Sequence, residues 1–275
     1  MTEQELLARV NELPKVSSVV QELVSMLNHP DCDFAVLAKK ISMDQVISAR
    51  VLRLSNSAHF GHSRTIASVN EAVIRLGVIP LKTMIVVSWL TNAFPRFKTL
   101  DMKLYWGDTF EIAIIASKIA NKVGIDANEM FTAGILHNIG DLMIHSLVPD
   151  IACEILARVA EGEDELELQR RLLGTTTAKL GAELARSWKF APRLVDTIEF
   201  YMNPDLATIE PLRALVLNFA CKVHRDWDSL ESKAAKIDYL VSHAHSGRLI
   251  LPSSYYVSID KVRGQGREMA EQMSS

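Results

Sequence analysis

Apolar residues recur along most of this chain at three- and four-residue intervals, the spacing that gathers them on one face of an α-helix. Val16, Val19, Val20, Leu23, Val24 and Leu27 follow it, as do Leu212, Leu215, Val216, Phe219, Ala220 and Val223. Two-residue alternation bounded by turn signals is absent except around Ser254–Val257, where a short strand is the one expectation of that kind. Helix starts are marked by polar residues. Ser42-Met43-Asp44-Gln45 and Ser68-Val69-Asn70-Glu71 both have capping-box form, in which a serine oxygen and a later side chain satisfy first-turn amides. Asn28-His29-Pro30-Asp31 and Gly61-His62 read as loops. The expected fold class is all-α.

The most apolar stretch, Met84–Leu90, is bounded by Lys82 on one side and Asn92, Pro95 and Arg96 on the other. Crossing a bilayer takes roughly 20 apolar residues, so a core helix is expected here. Near the other end, Ile259–Met273 has the pattern of a last amphipathic helix. Its Arg263, Gly264, Gly266 and Arg267 are expected to be solvated, which predicts a mobile tail. The acidic run Glu161–Glu165 reads as a solvated loop and helix start.

Composition narrows the function classes. With 275 residues, 48% of them hydrophobic, the chain can bury a sizeable core. Thirty basic residues against thirty-three acidic ones leave a net charge of −3, without the basic excess of a dedicated nucleic-acid binder, so no nucleic-acid partner is expected. Three cysteines (Cys32, Cys153, Cys221) form an odd set with no metal-type spacing and read as reduced, buried thiols. The start, MTEQELLARVNELP, lacks a basic beginning, an apolar run and a cleavage site. A cytoplasmic protein that does not engage membranes is expected.

Residues Leu52–Gly77 carry the most specific pattern: Asn56-Ser57-Ala58-His59-Phe60-Gly61, then Ile66-Ala67-Ser68-Val69, then Ala72-Val73-Ile74-Arg75-Leu76-Gly77. Asn56 and Ser57 can bond backbone groups freed at a helix end. Phe60 and Ile66 can pin the loop onto a core, and Gly61 permits a turn that a Cβ would resist. A packed, capped loop is the simpler reading. The loop could also present His59, His62 and Arg64 to a partner or an anion. This run closely resembles the signature of the HDOD domain family, and the upstream Leu13-Pro14 with its following helix resembles that family's opening. The family's signature positions fall on Asn56, Ser57, Ala58, Phe60, Gly61, Arg64 and Ser68.

HDOD domains resemble HD-type phosphohydrolases, whose metal site is named for an adjacent His-Asp pair. Such a site needs imidazole and anionic oxygen ligands, and the metal then lowers the pKa of a bound water. Here the pair's context is Ala133-Gly134-Ile135-Leu136-His137-Asn138-Ile139-Gly140-Asp141. His137 remains, but the aspartate is Asn138, whose neutral amide supplies no negative charge. By the same resemblance Asp108 stands at the first histidine, Thr177 at another histidine, and Cys221 at the late aspartate. A His-His pair before Pro204 is replaced by Tyr201-Met202-Asn203. His137 and Asp141, four residues apart, are expected to share one helical face.

The resemblance implies two packed helical subdomains: an N-terminal one over 1–99, an HD-like bundle over 100–247, and a C-terminal extension over 248–275. It implies a non-catalytic bacterial signalling or regulatory module with a degenerate metal site, no catalytic residues and no cofactor. The partner would be a signalling protein or a nucleotide signal. With no signalling domain on this chain, it would act in trans or as a homo-oligomer. The rival is a metal-dependent phosphohydrolase using Asp108, His137 and Asp141 with further ligands.

Overall fold

The computed structural model describes residues 5–6, 9–12, 17–29, 31–60, 65–94 and 97–274, and these residues form helices with no strand among them. The first group is α1 (Ser18–Asn28), α2 (Phe34–Met43), α3 (Gln45–Ser55), α4 (Val69–Leu76) and α5 (Val78–Ala93). Each start has a local cause. Ser17 accepts from the Val20 amide, Asp33 from Ala35 and Val36, and Ser68 from Glu71. In the second capping-box sequence the Glu71 carboxylate reaches one residue past the cap, to the Ala67 amide at 3.3 Å. The first sequence does not form a box. Ser42 lies inside α2 and bonds the Ala38 carbonyl, while Asp44 caps α3 by accepting from Val46 and Ile47. Gly77 separates α4 from α5 at φ +74°, a conformation that side chains resist, so two short helices form instead of one long one.

The predicted faces are largely correct. Val20, Leu23 and Leu27 are buried in α1, but Val19 faces out. Met84–Leu90 lies within α5, which is buried on most of its surface. No helix among the described residues is long and apolar enough to cross a membrane.

Downstream come α6 (Met102–Lys122), α7 (Ala127–Leu136), α8 (Ile139–Leu147), α9 (Pro149–Ala160), α10 (Glu165–Leu173), α11 (Thr177–Ser187), α12 (Pro192–Phe200) and α13 (Pro211–Asp226). Helix α6 is the spine, packed against α7 and α13. The hydrophobic core runs without a break from Leu6 to Met273. Polar ties also cross between the two groups. The Thr83 and Thr132 hydroxyls share a hydrogen bond of 2.6 Å, and Lys82 Nζ donates to Asn28 Oδ1 and the Lys189 carbonyl.

The remaining helices are α14 (Lys233–Ser242), α15 (Ala244–Arg248), α16 (Tyr256–Asp260) and α17 (Gln265–Ser274). Ser254–Val257 belongs to a helical turn rather than a strand. The tail expected to be mobile is packed. Helix α17 lies on both α6 and α3, with Met269, Ala270 and Met273 buried. The buried Glu111 carboxylate on α6 accepts from the amides of Gly264 and Gly266 at 2.8 and 2.7 Å. Arg263 pairs with Glu111 and Asp228. A segment rich in Gly and Arg looked solvated because its backbone amides, invisible in a side-chain pattern, are what bind.

Candidate functional site

Three glycines let backbones touch around the His137–Asn138 pair. A Cβ on Gly134 would fall 2.4 Å from Ala113 Cα, so α7 can lie directly on α6. A Cβ on Gly140 would fall 1.9 Å from the Thr177 carbonyl oxygen, and one on Gly181 would press on Ile139 at 3.0 Å. Helices α8 and α11 therefore meet backbone to backbone. The result is one cluster holding His137, Asn138, Asp141 and Thr177, with Tyr105 and Thr109 from α6 and Tyr201 and Cys221 from the α12 end and α13.

His137 closes α7 and is 4% exposed. Its Nδ1–H donates to the Gly134 carbonyl at 2.6 Å, and its ring meets Tyr201 edge-on at 5.2 Å. Burial, with some help from nearby His224, lowers its pKa to about 4, so it is neutral at pH 7 with Nε2 left as an acceptor. Asp141 does not share a continuous helix with it, because Asn138 interrupts the chain between α7 and α8.

Asn138 sits in a neutral network. Its Oδ1 accepts from the Tyr105 hydroxyl at 3.0 Å, and its Nδ2 donates to Thr109 Oγ1 at 2.7 Å. Partly buried Asp141 has its carboxyl raised to about 7, first by burial and then by the Glu165 charge, with a Thr177 hydrogen bond opposing. Thr177 gives its amide to Gln169 Oε1 at 2.8 Å, and Gln169 donates on to Glu165 at 2.9 Å. Burial raises the Cys221 thiol to about 12, so it is protonated at pH 7. Tyr201 is held by Asn218, which donates to its carbonyl at 2.8 Å, and burial takes its phenol well above the usual range.

One correction follows. Asp108 does not join the cluster. It faces a separate surface cavity, where its carboxylate lies 3.2 Å from His224 Nε2, and the α6 residues that reach Asn138 are Tyr105 and Thr109. Glu165 begins α10 and is exposed, as the reading of a solvated acidic run expects, and its carboxyl also acts on Asp141, Cys221 and Tyr201. Its one sequence signal was the Asp164 cap directly before it, which fixes how α10 starts.

The signature loop is a clasp. Asn56 donates to the Leu52 and Ile66 carbonyls, both at 2.9 Å, and accepts from the Ile66 amide at 2.8 Å. Ser57 is buried and donates to Leu54. Phe60 meets Phe131 edge-on, and His59 stacks on the same ring at 4.4 Å. Ala58 is exposed, and Ser68 caps α4. Gly61, His62 and Arg64 lie outside the described residues.

A family model of the HDOD domain matches residues 13–204. The chain belongs to the HDOD family. A solved structure from Shewanella amazonensis SB2B, provisionally named a phosphohydrolase, is 35% identical, with 98% of this chain and 97% of that chain covered at a TM-score of 0.83. An HDOD domain protein of unknown function from Geobacter sulfurreducens shares the fold at 24% identity, with 98% and 96% covered and a TM-score of 0.78. An uncharacterised protein of Treponema pallidum is 26% identical over 204 residues, which are 71% of this chain. The chain spans 38% of that relative's length.

The resemblance of HDOD domains to HD-type phosphohydrolases implies a dication at this cluster, but the donors present do not fit one. Among the described residues, no three His, Cys, Asp or Glu side chains converge as a metal would need. The donors amount to one imidazole, a carboxamide, a thiol and the Asp141 carboxyl, whose ionisation burial and the Glu165 charge oppose.

Proposed function

We propose that this HDOD chain is a non-catalytic signalling or regulatory module of the bacterial cytoplasm, acting by binding a protein partner or a nucleotide signal. The observation that carries this reading is the Asn138 amide, held at both ends by Tyr105 and Thr109. A catalytic dication would need a carboxylate there. With Asp108 turned to another cavity, too little anionic charge remains to hold an ion and activate its water.

Metal analysis of protein purified without chelator, followed by a screen of phosphodiesters and phosphomonoesters, tests the reading. Substoichiometric metal and no turnover are expected. Stoichiometric metal together with turnover lost in His137→Ala would establish the rival, a metal-dependent phosphohydrolase. That rival is favoured by the name of the 35% identical relative and by the unprotonated Nε2 of His137. The nucleotide version predicts a rise in melting temperature with a cyclic or guanine nucleotide, by mass action on the folded state.

A further inference from the structure

A cavity of about 440 Å³ lies at the junction of the two helical groups, inside the roughly 300–1,000 Å³ range of small-molecule sites. Helix α1 supplies one wall, α5 another, and the end of α11 with its following turn the third. Val20, Val24 and Val86 give it apolar surface. Trp89 and Trp188 also line it, with their rings 5.7 Å apart and 88° to each other. Both are half-buried, and neither indole N–H is paired or sealed from solvent among the described residues. Two indoles at right angles form a corner for a flat ring, its face against one and its edge against the other.

The turn after α11 adds an independent observation. Lys189 stands in left-handed backbone at φ +57°. Its amide closes on the Arg186 carbonyl at 2.9 Å, and the Phe190 amide on the Ala185 carbonyl at 3.1 Å. Glycine is the usual residue at such a helix end, because a Cβ resists the conformation. A lysine holds the position instead, on the cavity wall, exposed and without an ion pair among the described residues. Backbone strain of this kind is retained where a side chain is needed.

The charges agree. The buried Lys82 Nζ donates to the Lys189 carbonyl at 3.0 Å and to Asn28 Oδ1 at 2.8 Å, and both of those residues line the cavity. With Oδ1 so engaged, the Asn28 Nδ2–H bonds have no acceptor among the described residues. Lys82 has no carboxylate partner among the described residues either, and no Asp or Glu among them lines the cavity. Two unmatched cations and several spare N–H donors favour an anion.

We infer that this cavity binds a purine mononucleotide, its base in the Trp89–Trp188 corner and its phosphate at Lys189. The site rests on the nucleotide half of the proposed function and on none of the groups around Asn138. AMP and GMP, their nucleosides and inorganic phosphate are titrated into the full chain, with indole fluorescence and calorimetry as readouts. At least one nucleotide should quench the fluorescence and saturate with a Kd below about 1 mM, and its nucleoside should bind about tenfold more weakly. Phosphate alone should not saturate by about 10 mM. Trp188→Leu should weaken the nucleotide about tenfold and reduce the quench, through the lost stacking surface.

Lys189→Gly should bring the nucleotide down to the affinity of its nucleoside, through the lost charged hydrogen bond. The same change should raise the melting temperature of the unliganded protein by about 2 °C, because the left-handed strain is relieved. That rise separates a lost ligand contact from a lost fold. No saturation by either nucleotide would overturn this site together with the nucleotide reading. Saturation that ignores both Trp188→Leu and Lys189→Gly, or a nucleoside that binds as tightly as its monophosphate, would overturn the site alone.

Discussion

Asn138 Nδ2 donates to Thr109 Oγ1 over 2.7 Å, a bond an aspartate at that position cannot make. The Thr109 hydroxyl already gives its own proton to the Tyr105 carbonyl. Position 138 is therefore matched to an amide, and an aspartate there places a carboxylate beside a hydroxyl that is already donating elsewhere. Asn138→Asp is expected to fold with a loss of about 1–3 kcal/mol near pH 7.5. The loss should shrink near pH 5, where the buried acid holds its proton. Denaturant titrations at the two pH values check this. The variant should also fail to bind stoichiometric metal, since one added charge does not bring Asp108 into the cluster.

The cluster carries two opposed pH dependences. Asp141 titrates at about 7 in the folded chain, whereas an unfolded aspartate titrates near ~3.9. The folded state keeps a proton that the unfolded state releases, so this contribution is full below the lower value and lost as pH rises through the upper one. His137 runs the other way. Its folded value is about 4, against roughly 6.5 unfolded, so its contribution is full above the unfolded value and lost as pH falls. The melting temperature of Asp141→Asn relative to wild type should rise from pH 5 to 8. That of His137→Asn should rise relative to wild type as pH falls from 7 to 4.5. Parallel curves would contradict both assignments.

Glu111 and Gly266 hold the C-terminal helix. A Cβ on Gly266 would fall 2.3 Å from the Glu111 amide nitrogen and 2.5 Å from the Gly107 carbonyl oxygen, and neither backbone group can yield cheaply. Gly266→Ala should cost roughly 3 kcal/mol. Hydrogen exchange at the amides of α17 should accelerate, while α1 and α2, which do not pack against α17, stay protected.

Asn56 fastens the two ends of the signature loop, donating to Leu52 and Ile66 and accepting from Ile66. An aspartate can accept but not donate, so Asn56→Asp leaves the Ile66 carbonyl without its donor, while the Leu52 carbonyl keeps the Asn56 backbone amide. We expect a loss of about 1–3 kcal/mol, comparable to Asn56→Ala, measured by urea unfolding. A much milder Asn56→Asp would show that only the Ile66 amide bond matters.

What the sequence by itself determined was written in short range. Helical spacing, the Ser68 cap, the family signature and the reading of Asn138 against an expected aspartate each depend on residues a few positions apart, and the helices and the cap are present in the structure. Tertiary structure alone decided which side chains share the cluster. Asp108 and Thr109 are neighbours in sequence but point about 100° apart around α6, so a motif alignment accurate to one residue still selects the wrong wall. Glu165 came to act on Asp141 across 24 residues of chain, and Gly264 and Gly266 became the seat of α17 through contacts across more than 150. Hydrophobic period and capping chemistry act within one or two turns. The meeting of backbones at Gly134, Gly140 and Gly266 depends on how whole helices pack, and no local pattern records it.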